Sequence, residues 1–145
     1  MKLQENKYTA NATAIGGKQA KVTTGDGLID MEYRPPKELD GTGETGKHTN
    51  AEQLLAAGYA TCMSSTLELA AEKMQLNINP ENIKVDAIIK MGNDEEASGF
   101  AYKINLNVAV GSLEKETVER LIKIAHKDCP YSKAMQGNVD IKFNN

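Results

Sequence analysis

Residues 49–74 read TNAEQLLAAGYATCMSSTLELAAEKM, and this stretch decides how the rest of the chain is arranged. Thr49 and Glu52 have the spacing of a capping box, which predicts the start of a helix. At about 100° per residue, the polar side chains fall on one narrow stripe and the rest are mostly small or apolar. The stripe consists of Thr61, Ser64, Ser65, Glu68 and Glu72. A helix with so narrow a polar face is covered by other elements on most of its sides.

Alternating apolar and polar residues predict short strands on both sides of this helix. The predicted strands lie near residues 8–12, 20–24, 29–33, 83–91, 100–110 and 139–143. A second helix is expected to begin at Ser112, a residue type favoured at helix N-termini, and to end at Cys129-Pro130. The order β-β-β-α-β-β-α-β indicates an α+β domain with antiparallel sheet.

Composition and charge exclude several classes of function. The 145 residues carry a net charge of −3 without a basic face, so a single domain (residues 1–145) that does not bind nucleic acid is expected. The chain has no apolar run long enough for a membrane span, and its first residues lack the apolar core of a signal peptide. We therefore expect a soluble, cytoplasmic protein. Aromatic residues make up 5% and Trp is absent, so the core consists of small side chains and leaves room for a partner chain.

The two cysteines are the first candidates for chemistry. Cys62 lies at the edge of the polar stripe of the long helix, and Cys129 ends the second helix. If the helices cross there, the thiols come within disulfide range, for which the Cα atoms must be about 4.4–6.8 Å apart. A structural disulfide is unusual in a reducing cytosol, and with His48 and His126 the spacings fit no familiar zinc pattern. From the residues alone, the alternative is favoured in which Cys62 is a small core residue and Cys129 fills the end of a helix.

Three blocks of the sequence resemble one family. Residues 49–62 closely resemble the first cysteine motif of the organic hydroperoxide resistance (Ohr) branch of the OsmC/Ohr family, and residues 129–139, CPYSKAMQGNV, resemble the second. Gly16-Gly17-Lys18 stands where the family has a glycine-glycine-arginine turn. Order and spacing agree over essentially the whole chain, and Gly58-Tyr59 and Tyr131 favour the Ohr branch over the OsmC branch.

The resemblance implies a fold and a reaction. The fold would be antiparallel sheets around two central helices in an intertwined homodimer. Cys62 would attack an organic hydroperoxide as a thiolate, and Cys129 would condense with the resulting sulfenic acid to give a disulfide. The protein would hold no cofactor, and a lipoylated protein would supply electrons through its dihydrolipoyl group.

The resemblance also implies a cation that stabilises the thiolate, and here the sequence departs from the family pattern. Lys18 replaces the family arginine, and lysine is a compact point charge without the planar fork of a guanidinium group. We therefore expect Lys18 to serve the reaction less well than arginine. Arg34 is an alternative cation, although alternation places it with Asp30 and Glu32 on the more polar strand face.

Glu52 has two interpretations. In the family, the matching carboxylate orients the cation, whereas the local alternative is that Glu52 only completes the capping box with Thr49. Ten residues of straight helix place Glu52 about 15 Å from Cys62. Either the helix breaks near Gly58, or the cation bridges the two groups from another element.

Leu55 and Tyr131 are expected to line an apolar pocket that prefers bulky organic peroxides. Two other functions stay open. One is an OsmC-type peroxidase with broader substrates, including hydrogen peroxide. The other is a weakly catalytic redox sensor or binder of apolar ligands, which the Lys18 departure allows.

Overall fold

The computed structural model describes residues 2–145, and the chain divides into two compact units. The first ends at Leu54, and the second is Leu55–Asn145. The long helix α1 (Ala51–Lys73) begins in the first unit and runs into the second. In the described residues 2–145, no helix has both the length and the apolar character that a membrane span requires.

The first unit contains a three-stranded antiparallel sheet. Its strands are β1 (Ala12–Ile15), β2 (Lys21–Thr24) and β3 (Asp30–Glu32), in the order β1-β2-β3. The strand predicted near residue 8 begins only at Ala12, because its partner β2 ends at Thr24, opposite Ala12.

A glycine turn joins β1 to β2. Gly16 and Gly17 have φ angles of 117° and 59°, which glycine adopts without steric cost. A Cβ atom at Gly16 would also collide with the carbonyl oxygen of Gln19. The turn therefore requires glycine for both its conformation and its close packing, and Lys18 follows in a short 3₁₀ helix, Gly17–Gln19.

The second unit packs helices against a mixed sheet. Strands β4 (Ile83–Asn93) and β5 (Phe100–Val110) form the predicted antiparallel hairpin. Strand β6 (Asp140–Asn144) pairs with β5 in parallel, so this sheet is mixed, and its β4–β5 pair is antiparallel as expected. The reason is the connection, because the helices between β5 and β6 form the crossover that parallel strands require.

Two helices form that crossover. Helix α2 (Lys115–Asp128) begins three residues after the predicted Ser112 cap, because Gly111 has a φ of +50° and the Leu113 N–H bonds back to Val110 in a turn. A further helix, α3 (Pro130–Met135), was not predicted from the sequence. Pro130 starts this helix as well as ending α2, since proline is favoured at a first helical position.

The core of the second unit lies between the helices and β5. Its fully buried large side chains are Tyr59, Met63, Leu67, Ile104, Leu106 and Leu121. Alternation in β5 points Ile104, Leu106 and Val108 to this core, as predicted. On α1, Leu69 is the exception among the large apolar side chains, because it is 55% exposed in the single chain.

Candidate active site

The two thiols lie next to each other. The Cys129 Sγ donates to the Cys62 Sγ at 3.4 Å, and both cysteines are free. Cys129 is completely buried, whereas Cys62 is partly exposed. The two helical segments therefore meet at their cysteines, which is the condition under which the sequence predicted a redox pair. Formation of a bond of about 2.05 Å requires only a small movement of either sulfur.

Cys129 occupies the junction between two helices. Its backbone is extended, with φ −61° and ψ 123°, because a residue before proline is disfavoured in the helical region. Its N–H bonds to the Ala125 carbonyl at 2.8 Å, and its carbonyl accepts from the Lys133 N–H at 3.0 Å. The Cys-Pro sequence thus places the thiol outside both helices while each helix holds one end of the residue.

The surroundings of Cys62 favour the neutral thiol. Burial raises its pKa, and the neighbouring Cys129 thiol raises it further. The Tyr131 N–H and the Thr66 hydroxyl act in the opposite direction, because hydrogen-bond donors stabilise the thiolate. Since the net shift of the Cys62 pKa is upward, forming much thiolate near neutral pH requires a positive charge in addition to these groups.

A cluster of aromatic and hydroxyl groups adjoins the thiols. The Tyr59 and Tyr131 rings stack with centroids 5.6 Å apart, and the Tyr59 hydroxyl shares a 2.8 Å hydrogen bond with the Ser132 hydroxyl. Burial raises the pKa of Tyr59, the bond to Ser132 lowers it, and the nearby Cys129 and Cys62 raise it. The phenol is therefore neutral and lies within electrostatic reach of both thiols.

Gly58 makes room for this cluster. A Cβ atom at this helical position would overlap the hydroxyl oxygen of Tyr131. No role in the site was predicted for Gly58, Tyr59, Thr66 or Ser132 from the sequence. A signal was present, because a glycine inside a long helix costs about 1 kcal/mol relative to alanine and indicates close packing. Tyr131 is placed beside Cys62 by its backbone, whereas its predicted contact with substrate stays a prediction, as does that of the partly buried Leu55.

Lys18 and Glu52 belong to the first unit. Lys18 is exposed in the glycine turn, and Glu52 lies in the first turn of α1. The predicted capping box of Thr49 with Glu52 is wrong by one residue. The helix starts at Ala51, so the Asn50 side chain caps it by accepting from the Gln53 N–H at 2.8 Å.

The catalytic roles of Lys18 and Glu52 remain predictions. Since α1 is continuous through Gly58, the alternative in which the helix breaks there is wrong. The other alternative, in which a cation bridges Glu52 and Cys62, stays a prediction.

Arg34 is largely buried, and its guanidinium group is engaged within the first unit. Its Nη1 donates to the Tyr33 and Ala20 carbonyls at 2.6 and 3.4 Å, and its Nη2 pairs with Glu32 at 3.3 Å. The pairing with Glu32 agrees with the face predicted by alternation. Because Ala20 ends the glycine turn, Arg34 fixes the exit of that turn to the end of β3.

The histidines and acidic residues offer no evident metal centre. Within residues 2–145, no three His, Cys, Asp or Glu side chains lie close enough together to hold a metal ion. His126 lies edge-on to Phe143 with ring centroids 4.9 Å apart, and burial lowers its pKa. It is therefore a partly buried packing residue, not the solvated helix-end residue that its position in the sequence suggests.

Known proteins are similar to this chain in both sequence and fold. Residues 43–144 match the family model described as OsmC-like protein. The organic hydroperoxide resistance protein OhrB of Bacillus subtilis is 38% identical over 136 residues, which cover 94% of this chain and 96% of OhrB. Its crystal structure matches with a TM-score of 0.82 at 36% identity, covering 94% of this chain and 97% of that one. The crystal structure of an organic hydroperoxide resistance protein OsmC from Legionella pneumophila matches with a TM-score of 0.86 at 34% identity, covering 97% and 98%.

Proposed function

This chain belongs to the OsmC-like protein family, and we propose that it is a peroxidase that reduces organic hydroperoxides with Cys62 and Cys129. The observation that carries the proposal is the 3.4 Å separation of the two sulfur atoms. A relative named organic hydroperoxide resistance protein, 38% identical over 94% of the chain, supports the class of substrate. The homodimer and the cytoplasmic location expected from the sequence remain part of the proposal.

The reaction proceeds in two steps on the sulfur atoms. The Cys62 thiolate attacks the terminal oxygen of the hydroperoxide, so an S–O bond forms, the O–O bond breaks and the alkoxide takes a proton to leave as an alcohol. The Cys129 sulfur then attacks the sulfenic sulfur of Cys62. The S–S bond forms, and hydroxide leaves with the Cys129 proton as water. Rapid formation of the disulfide protects Cys62 from irreversible oxidation to a sulfinic acid.

The first step requires a thiolate, which burial of Cys62 opposes. We assign the compensating positive charge to Lys18, with Glu52 orienting it, on the basis of the family motif. An ammonium group attracts a thiolate through charge alone, whereas a guanidinium group also forms paired hydrogen bonds. Lys18 therefore supports the reaction, although less effectively than arginine.

Electrons return through an external dithiol. A dihydrolipoyl group carried by a partner protein is the proposed donor, and it would convert the Cys62–Cys129 disulfide back to two thiols by exchange. No cofactor is bound permanently in this scheme, because the two protein thiols hold both electrons that the peroxide requires.

A turnover assay tests the proposal. Reduced protein is mixed with cumene or tert-butyl hydroperoxide, with hydrogen peroxide for comparison, and with dihydrolipoamide or thioredoxin as donor. We expect rapid reduction of the organic peroxides with dihydrolipoamide, loss of activity in Cys62→Ser, and one incomplete turnover in Cys129→Ser. Undiminished activity of Cys62→Ser would refute the mechanism, and thiol oxidation without turnover would indicate a redox sensor.

A further inference from the structure

Two side-chain contacts connect the same two segments around the thiols. On α1, Tyr59 and Cys62 are three residues apart and share one face of the helix. On the opposing segment, Cys129 and Ser132 are also three residues apart. Each pair meets its counterpart, with the sulfur atoms 3.4 Å apart and the Tyr59 and Ser132 hydroxyl oxygens 2.8 Å apart. The hydrogen bond is therefore a second connection, one helical turn from the reacting atoms.

The segment that carries Cys129 needs such a connection. Helix α3 has six residues, which is too short to be stable without tertiary contacts. Cys129 itself is extended and belongs to neither helix. The position of its thiol relative to Cys62 therefore depends on α2, which holds the Cys129 N–H, and on what holds α3 against α1. The structure provides the ring stacking of Tyr59 on Tyr131 and the hydroxyl pair of Tyr59 and Ser132.

Of these two contacts, the hydroxyl pair is the directional one. Tyr59 and Ser132 are both completely buried, so neither hydroxyl can exchange its partner for bulk water. A buried polar group without a partner is costly, and each hydroxyl therefore holds the other in place. Ring stacking alone allows sliding, whereas a hydrogen bond fixes both distance and direction.

We propose that the Tyr59–Ser132 hydrogen bond positions Cys129 against Cys62 and thereby sets the rate of disulfide formation, not the rate of peroxide attack. The inference rests on the proposed function, because it concerns its second step. In that step the Cys129 sulfur must approach the Cys62 sulfur opposite the departing hydroxyl group. Tyr59 and Ser132 are positioning residues, since they act through Cys129 and need not touch the peroxide.

The test separates the two steps in a single turnover. Reduced protein is mixed with cumene hydroperoxide, and Cys62 oxidation is followed by trapping the sulfenic acid, while the disulfide and sulfinic acid are measured by mass spectrometry. Tyr59→Phe retains the stacked ring and removes one hydroxyl, and Ser132→Ala removes the other. We expect Cys62 oxidation to remain within about twofold of wild type and disulfide formation to slow about tenfold, with more sulfinic acid at Cys62 in excess peroxide.

Two further variants keep the test decisive if a single variant folds poorly. The double variant Tyr59→Phe/Ser132→Ala leaves no unpaired hydroxyl at this position and should slow the disulfide step by the same factor as either change alone. Ser65→Ala is the matched control, because this exposed hydroxyl donates only within α1, to the Thr61 carbonyl at 3.1 Å. It should match wild type in both steps.

The proposal is overturned if disulfide formation and the sulfinic fraction stay unchanged in the single and double variants, even where stability falls. Failure of the proposed function gives a different result, in which the hydroperoxide does not oxidise Cys62 in wild type. In that case diamide, which oxidises thiol pairs directly, is used to form the Cys62–Cys129 disulfide, and the rate of its formation is compared between wild type and the variants. The same slowing in the variants would support the positioning role, and equal rates would refute it.

Discussion

Oxidation of the Cys62–Cys129 pair should raise the free energy of unfolding by about 2–4 kcal/mol. The two cysteines are 67 positions apart, so the bond closes a long loop in the unfolded chain. The loop-entropy relation gives about 4 kcal/mol for a loop of this length. The sulfur atoms must approach by roughly 1.4 Å from their 3.4 Å separation, and the accompanying adjustment of the helix junction offsets part of that gain.

The assay is urea unfolding of the same protein in two redox states. One sample is oxidised with a single equivalent of cumene hydroperoxide, and the other is kept reduced, both at the same protein concentration because association shifts apparent stability. At a slope of about 2 kcal/mol per molar urea, the expected gain moves the midpoint by about 1–2 M. Cys129→Ser, treated identically, should show no such increase.

One result would refute this reasoning. If mass spectrometry confirms the Cys62–Cys129 disulfide and the oxidised protein unfolds at the same or a lower urea concentration than the reduced one, the fold must strain to form the bond. The reduced geometry would then not be prepared for closure, and the short distance between the sulfur atoms would carry no functional meaning.

Three further predictions follow from the site. Burial raises the pKa of Cys62, and only the thiolate attacks peroxide. The stopped-flow rate of Cys62 oxidation by peroxide should therefore rise with pH, about tenfold per pH unit below that pKa. A pH-independent rate would contradict this assignment. Gly58→Ala should lower the free energy of unfolding by about 1–3 kcal/mol, because the new methyl group overlaps the Tyr131 hydroxyl. Adding Tyr131→Phe should recover much of the loss. If Gly58→Ala costs the same with Tyr131 as with Phe at position 131, the overlap is disproved. Lys18→Arg should increase the rate of peroxide reduction in the turnover assay, and an unchanged rate would show that the lysine is already sufficient.

The regular elements were predictable where one sequence period dominates. Strict alternation in residues 100–110 gave the exact bounds of β5, and the Cys129-Pro130 pair gave the end of α2. The helix start was misplaced by one residue, because Asn50 and Thr49 are both good capping residues and only the backbone distinguishes them. The parallel pairing of β6 was not predicted, because alternation identifies a strand and its faces but not the direction in which it pairs.

The site was predictable as far as its chemistry is carried by rare residue types. Two cysteines in motifs that resemble one family indicated the atoms proposed to react, and the structure brings their sulfur atoms together. Tyr59 and Ser132 stand in the motifs, but no role in the site was predicted for them, because tyrosine and serine are common residues in any core or surface. Their interaction is visible only in the folded chain, where residues 73 positions apart have their hydroxyl oxygens within 2.8 Å of each other.

In the proposed cycle, the unequal exposure of the two cysteines would fix the direction in which their disulfide opens. Cys129 is completely buried and Cys62 is partly exposed, so an incoming thiolate can reach only the Cys62 sulfur. Cys129 then departs as the leaving thiolate, and the mixed disulfide with the donor forms on Cys62. Under the proposed function, the regenerating partner and the peroxide would therefore use the same sulfur in turn, and each complex of the cycle would exclude the other.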